Sequence, residues 1–180
     1  TVTKRDVTLT SATASKTYDG TPLTNSEVSI TGDGFAEGEG ATYNVTGSRL
    51  DVGSSKNTFT YVLNEGTKAG NYNITTAEGD LTIEKITTPI VITADSDSKT
   101  YDGNALTKNS FTYTQDVLVS GDVLEATVEG SITDFGTADN VVTAYKVMRG
   151  ETDVTANYTF GTSVNGTLEI TKRDVTLQSA

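Results

Sequence analysis

The sequence has no cysteine, no histidine and no tryptophan, and its only prolines are Pro22 and Pro89. Without Cys there can be no disulfide, thiolate metal site, Cys nucleophile or thioester. Without His, the Ser-His-Asp and Cys-His schemes and imidazole metal ligation are excluded. Aromatic residues make up 7% of the chain, too few to line the cleft in which paired carboxylates hydrolyse glycosides. Cations are scarce as well: 13 Lys and Arg face 24 Asp and Glu, for a net charge of −11. Binding to nucleic acid needs clustered Lys and Arg to displace counterions, and anionic membrane surfaces need polybasic segments, so neither is an expected partner. A self-repelling, soluble surface and a monomer are the plainer expectation. No apolar run approaches the ~20 residues that span a bilayer. No signal-peptide pattern opens the chain; targeting and anchoring segments are expected to lie outside residues 1–180. No enzyme, cofactor or metal is expected from this inventory.

What is abundant is Thr, with Val, Ile and Tyr beside it. Branching at Cβ restricts χ1 and suits the half-exposed surface of a sheet. Gly, Asn, Asp and Ser interrupt the apolar runs every eight to twelve residues, the rhythm of an all-β protein.

The chain is also internally repeated. Ser15-Lys16-Thr17-Tyr18-Asp19-Gly20 returns as Ser98-Lys99-Thr100-Tyr101-Asp102-Gly103, 83 residues later. Leu23-Thr24, Gly38, Gly47, Gly53 and Asn57 return at the same offset as Leu106-Thr107, Gly121, Gly130, Gly136 and Asn140. Asn71-Tyr72 returns as Asn157-Tyr158 and Leu81 as Leu168, at offsets of 86 and 87, so the second copy has gained residues near Arg149-Gly150-Glu151-Thr152. Insertions in such a loop cost little closure entropy. Residues 3–12, TKRDVTLTSA, return as 171–180, TKRDVTLQSA, which reads as the opening of a third copy in a longer array.

Alternation such as Phe59, Tyr61 and Leu63 against Thr58 and Thr60 places one side of a strand in a core and the other in water. On this pattern strands are expected over 7–10, 28–30, 41–47, 57–63, 71–76 and 81–84. In the second copy they are expected over 90–93, 111–114, 124–130, 141–147, 157–160 and 168–170. Residues 35–38 and 117–121 read as single helical turns. The resulting organisation is all-β, with repeats over 1–85 and 86–172 and the opening strand of a truncated third over 173–180. Each repeat is a small β-sandwich or a β-grasp-like sheet. No Gly/Ser linker separates 81–85 from 90–93, and Pro89 stiffens the connection. That junction predicts end-to-end stacking into an elongated rod.

Several residues invite a chemical reading. Tyr18-Asp19-Gly20 and Tyr101-Asp102-Gly103 read either as ligand contacts or as turns, with Gly supplying positive φ and Tyr packing over the core edge; their repetition favours the turn. The acids Asp33, Glu37 and Glu39, and Asp95 with Asp97, suggest calcium. No Asp-x-Asp-x-Asp-Gly loop gathers them, however, and the first copy has no acids equivalent to Asp95 and Asp97. Lys16 and Lys99, with Asn71 and Asn157, occupy equivalent positions that a Lys–Asn isopeptide crosslink would need; the plainer reading is a Lys flanking a turn and an Asn opening a strand. Gly32-Asp33-Gly34 and Gly38-Glu39-Gly40 carry acids where a phosphate loop needs donors.

The motif Lys-Thr-Tyr-Asp-Gly-x-x-Leu-Thr, then Asn-Tyr, then Gly-x-Leu-x-Ile-x-Lys, resembles the YDG- or MBG-type mostly-β repeats of Gram-positive cell-surface adhesins. Its most specific pieces are residues 16–20 with 99–103 and 79–85 with 166–172. The resemblance implies an extracellular, wall-attached array whose repeats act as a stalk, each contacting its neighbouring repeats, and it supplies no site residues. The alternative is a repeated low-affinity module for host glycan or protein, with affinity gained through avidity.

Overall fold

The computed structural model describes residues 2–179, which divide at Lys85 and Ile86 into two compact units. Among the described residues there is no α-helix; β-strands are joined by turns and two short 3₁₀ turns.

The first unit contains β1 (Arg5–Ser11), β2 (Ala14–Thr17), β3 (Val28–Gly32), β4 (Ala41–Val45), β5 (Gly53–Lys56), β6 (Phe59–Leu63), β7 (Tyr72–Ala77) and β8 (Asp80–Glu84). β1 is central in one sheet, antiparallel to β3 with Leu9 opposite Ile30 and parallel to β7 with Leu9 opposite Thr76. β8 is central in another, parallel to β2 with Lys16 opposite Ile83 and antiparallel to β5 with Ser55 opposite Leu81. β4 and β6 form an antiparallel pair in which Tyr43 faces Tyr61. Alternation in β1 turns Val7 and Leu9 inward, and alternation in β8 does the same for Leu81 and Ile83. Tyr43, Phe59 and Tyr61 pack on Val7, Leu9 and Tyr72, so the β4–β6 pair covers the β1 sheet. Burying each such side chain contributes about 1.5–3 kcal/mol.

The second unit repeats this plan with β9 (Ile86–Ile90), β10 (Ile92–Ala94), β11 (Asp97–Thr100), β12 (Phe111–Tyr113), β13 (Asp122–Glu129), β14 (Gly136–Arg149), β15 (Thr152–Asp153), β16 (Tyr158–Phe160) and β17 (Gly166–Thr171). The expected strand over 90–93 is interrupted at Val91: β9 pairs with β16 and β10 with β12. Pro89 sits in β9, which has a single partner strand, so its missing N–H costs no ladder bond on the open side. β14 is longer than the expected 141–147. It runs through the positions of both β5 and β6, pairing first with β17 and then with β13 across a register shift at Thr127 and Val128.

Two further expectations are corrected. Residues 35–38 and 117–121 form reverse turns instead of helical turns, closed by Glu39 N–H to the Ala36 carbonyl at 3.0 Å and Asp122 N–H to the Val119 carbonyl at 2.9 Å. The polar strands β2, β5 and β11 were not expected, because no apolar residue alternates in them. Residues 172–179 form no strand. The equivalent β1 is held by β3 and β7 of its own unit, and no third copy of those two partners lies among the described residues.

Candidate functional site

The repeated Tyr-Asp-Gly loops follow β2 and β11. Asp19 Oδ1 accepts from Lys16 Nζ at 2.8 Å, Thr21 Oγ1 at 2.7 Å and Thr21 N–H at 2.9 Å, while Lys16 Nζ also donates to the Thr21 carbonyl at 2.8 Å. In the second unit Asp102 Oδ1 accepts from Lys99 Nζ at 2.8 Å and Asn104 N–H at 2.9 Å. Gly20 and Gly103 follow with φ of 77° and 81°. These are Asx turns locked by a lysine. The Lys16 ammonium, followed by the Thr21 hydroxyl and N–H, holds the Asp19 carboxyl well below the usual carboxylate range. Lys99 and then the Asn104 N–H lower Asp102 in the same way. Such carboxylates stay ionised near neutral pH and have no proton to exchange, so their chemistry is that of a tether. The two tyrosines differ: Tyr18 is 3% exposed and Tyr101 is 41% exposed.

The lysines considered for an isopeptide bond are committed to these loops: Lys16 to Asp19, Thr21 and the Pro22 carbonyl, Lys99 to Asp102 and the Ala105 carbonyl. Asn71 and Asn157 instead end the 3₁₀ turns Ala69–Asn71 and Thr155–Asn157 that lead into β7 and β16. Of the five acids considered for calcium, Glu37 is exposed in a turn and the other four have separate partners. Asp33 Oδ2 accepts the Asp6 N–H at 3.0 Å, Glu39 bonds Tyr72 Oη, Asp95 Oδ2 accepts Ser110 Oγ at 2.5 Å, and Asp97 Oδ1 accepts the Ser98 N–H at 2.8 Å. Among the described residues no three acids converge in a way that would hold a metal ion.

Two arrangements escaped the sequence reading, and both occur twice. Asn57 is fully buried between β5 and β6, and its Nδ2 donates at 2.9 Å to the carbonyls of Ala12 and Asn25. Asn140, fully buried within β14, donates at 2.8 Å to the carbonyls of Asp95 and Lys108. Each amide ties the crossing from one sheet to the next to the strand-free segment before β3 or β12. Gly47 and Gly130 lie directly over these amides: a Cβ would come within 2.6 Å of Asn57 Cα or 2.9 Å of Asn140 Cα. Their recurrence at the common offset was visible in the sequence; their burial was not.

The second arrangement joins a tyrosine to an acid. Tyr72 Oη donates to Glu39 and accepts the Ala36 N–H at 3.0 Å. Tyr158 Oη donates to Asp122 Oδ2 at 2.5 Å and accepts the Val119 N–H at 3.0 Å, and Arg149 Nε reaches Asp122 Oδ1 at 2.6 Å. The Glu39 carboxylate pushes the Tyr72 phenol above its ordinary value, so the phenol keeps the proton it donates. The sequence signal was an acid retained at 39 and 122 beside a tyrosine retained at 72 and 158.

Two surface hollows occupy equivalent places in the two units. One of about 580 Å³ lies between Asn25–Glu27 and Val45–Ser48, and its counterpart in the second unit lies between Asn109 and Thr127–Ser131. No aromatic ring and no cation lines either, so neither offers a sugar a stacking face nor a phosphate a counter-charge. The residues that repeat are thus the ones that tie strands together, and the open surface beside them carries little chemistry. No family model and no curated protein matches the chain.

Proposed function

We propose that the two units are spacer repeats of a bacterial surface adhesin, stacked end to end as an elongated rod that projects a distal binding domain from the cell wall. In this reading each unit is a small sandwich rather than a β-grasp. The packing of β4 and β6 on the β1 sheet supports that choice, as does the lack of an α-helix among the described residues to serve a β-grasp. The observation that carries the spacer reading is that the repeated polar side chains are spent on internal ties: the Asn57 and Asn140 amides, the Tyr–carboxylate pairs and the Lys-locked turns. A module selected to be repeated and to bear load keeps its ties, whereas a binding module keeps its exposed contacts.

The avidity alternative is the weaker one. The exposed aromatics Tyr101, Phe135 and Tyr145 would be its contacts, but the counterparts of Phe135 and Tyr145 in the first unit are Val52 and Val62, and that of Tyr101 is the buried Tyr18. Avidity multiplies a contact that recurs, and these do not recur.

Small-angle scattering of the 180-residue chain tests the proposal. One globule of this length has a radius of gyration of about 16 Å, while two units of about 12 Å each, stacked ~40 Å apart, give roughly 23 Å. The larger value supports the rod; the smaller one would mean that the units fold against each other, and the spacer reading would be abandoned.

A further inference from the structure

Val175 and Leu177 are 76% and 91% exposed, although the same residues of the repeated opening, Val7 and Leu9, are 1% and 0% exposed in the core of the first unit. Beside them the second unit presents an apolar surface. Tyr101, Phe135, Lys172, Arg173 and Val175 line a hollow of about 450 Å³, and Lys172 Nζ lies 4.9 Å from the centre of the Phe135 ring. Phe135 is 62% exposed. Tyr18 and Tyr101 are held alike within their own units, Tyr18 N–H donating to the Glu84 carbonyl at 2.8 Å and Tyr101 N–H to the Thr171 carbonyl at 2.9 Å. Yet Tyr18 is buried and Tyr101 is not. Two separate features, a core-type sequence left exposed and an apolar hollow lined by Tyr101 and Phe135, therefore meet in the second unit.

We infer that this surface is a docking face for a further copy of the same repeat. The segment beginning at Arg173 is that copy's first strand, and Tyr101 with Phe135 forms the seat against which its body packs. The occupant is identified by residues 171–180, which reproduce residues 3–12 with one change, Thr10 to Gln178. Completing the copy would bury Val175 and Leu177 between strands equivalent to β3 and β7, as Val7 and Leu9 are buried in the first unit. The chain leaves β17 at Thr171, and Lys172 already lies on Phe135, so the new copy starts within reach of the seat without a linker. Burying an exposed Tyr and Phe at such a junction restricts the hinge between repeats. This inference rests on the tandem-array reading proposed above, but adds which residues join one repeat to the next.

The test extends the full chain through residue 180 with a copy of residues 13–85 and compares it with the unextended chain by hydroxyl-radical footprinting in dilute solution. Tyr145, 43% exposed and outside the lining of that hollow, serves as the internal reference. The expected result is that Val175, Leu177, Tyr101 and Phe135 all lose reactivity several-fold. Phe135→Ser in the extended chain should restore reactivity at Tyr101 while Val175 and Leu177 stay protected. Protection of Val175 and Leu177 with Tyr101 unchanged would overturn the docking face, leaving an array of repeats joined without a seat. Continued exposure of Val175 and Leu177 would overturn the strand assignment. Protection of Tyr101 in the unextended chain that grows with concentration would assign the face to a second copy of the chain instead. The scattering result on the unextended chain is independent of all three, so failure here and failure of the spacer reading are distinguishable.

Discussion

At the scale of single residues, Asn57 and Asn140 do more than their size suggests. A primary amide can donate two hydrogen bonds at once, and here both go to backbone carbonyls that no strand partner satisfies. Asn57→Ala removes both donors and leaves a small void. Leaving buried carbonyls without partners costs about 1–3 kcal/mol each, so the expected loss is about 2–6 kcal/mol, read as a lower urea midpoint by tyrosine fluorescence. Asn57→Asp should fare no better despite its shape, because a carboxylate offers acceptors where donors are needed. Gly47→Ala should destabilise similarly, since its methyl would overlap the Asn57 backbone, whereas Gly70→Ala, with open space around it, should shift stability by less than about 0.5 kcal/mol. Equal effects of the two glycine substitutions would refute the close-approach account.

At the scale of elements, the repeated turns are tied by charged side chains and two loops by tyrosine hydroxyls. Asp19 and Asp102 have folded-state pKa values below their unfolded values, so the unfolded chain takes up protons first on acidification. Their contribution is present above the unfolded pKa, ~3.9, and is lost as pH falls from there toward the folded pKa. The thermal midpoint should therefore drop below about pH 4, and Asp19→Asn with Asp102→Asn should flatten that drop. An unchanged slope in the double variant would place the acid sensitivity elsewhere. The Tyr–carboxylate ties predict an asymmetry. Asp122 has a fully buried side chain, so Tyr158→Phe removes a hydrogen bond to a buried carboxylate, leaving Arg149 as its partner, and should cost about 1.5–3 kcal/mol. Tyr72→Phe should cost less, because Glu39 is more accessible. Thermal melts of the two single variants decide it.

At the scale of the whole molecule, the features that could have marked a reactive or ligand-dependent protein are occupied by structural partners. The acids near Asp33 and Asp95 accept hydrogen bonds from Asp6 N–H and Ser110 Oγ. Calcium or a chelator is therefore expected to leave both the radius of gyration and the thermal midpoint unchanged. A midpoint that rises by several degrees with calcium would reveal a bound ion, because a ligand of the native state stabilises in proportion to its occupancy. The two units use the same ties but are not identical. In the second, β5 and β6 equivalents fuse into β14 and Arg149 joins the buried acid, both near the place where residues were gained.

The sequence by itself determined the all-β class and the strands whose apolar residues alternate, such as β1, β6 and β8, because a period of two with one apolar side admits little else. It also determined the Asp-Gly turns, since the positive φ at Gly20 and Gly103 is a local demand of the backbone. The tertiary structure alone decided the rest. β2, β5 and β11 carry no pattern of their own and are strands because β8 and β17 offer them a ladder. Asn57 is far in sequence from its partners Ala12 and Asn25, as Glu39 is from Tyr72, and their roles exist only once the chain has crossed between sheets. The last residues make the same point from the other side. The RDVTL sequence that opens β1 in the first unit forms no strand over 173–177, because a strand is a property of its partners as much as of its residues.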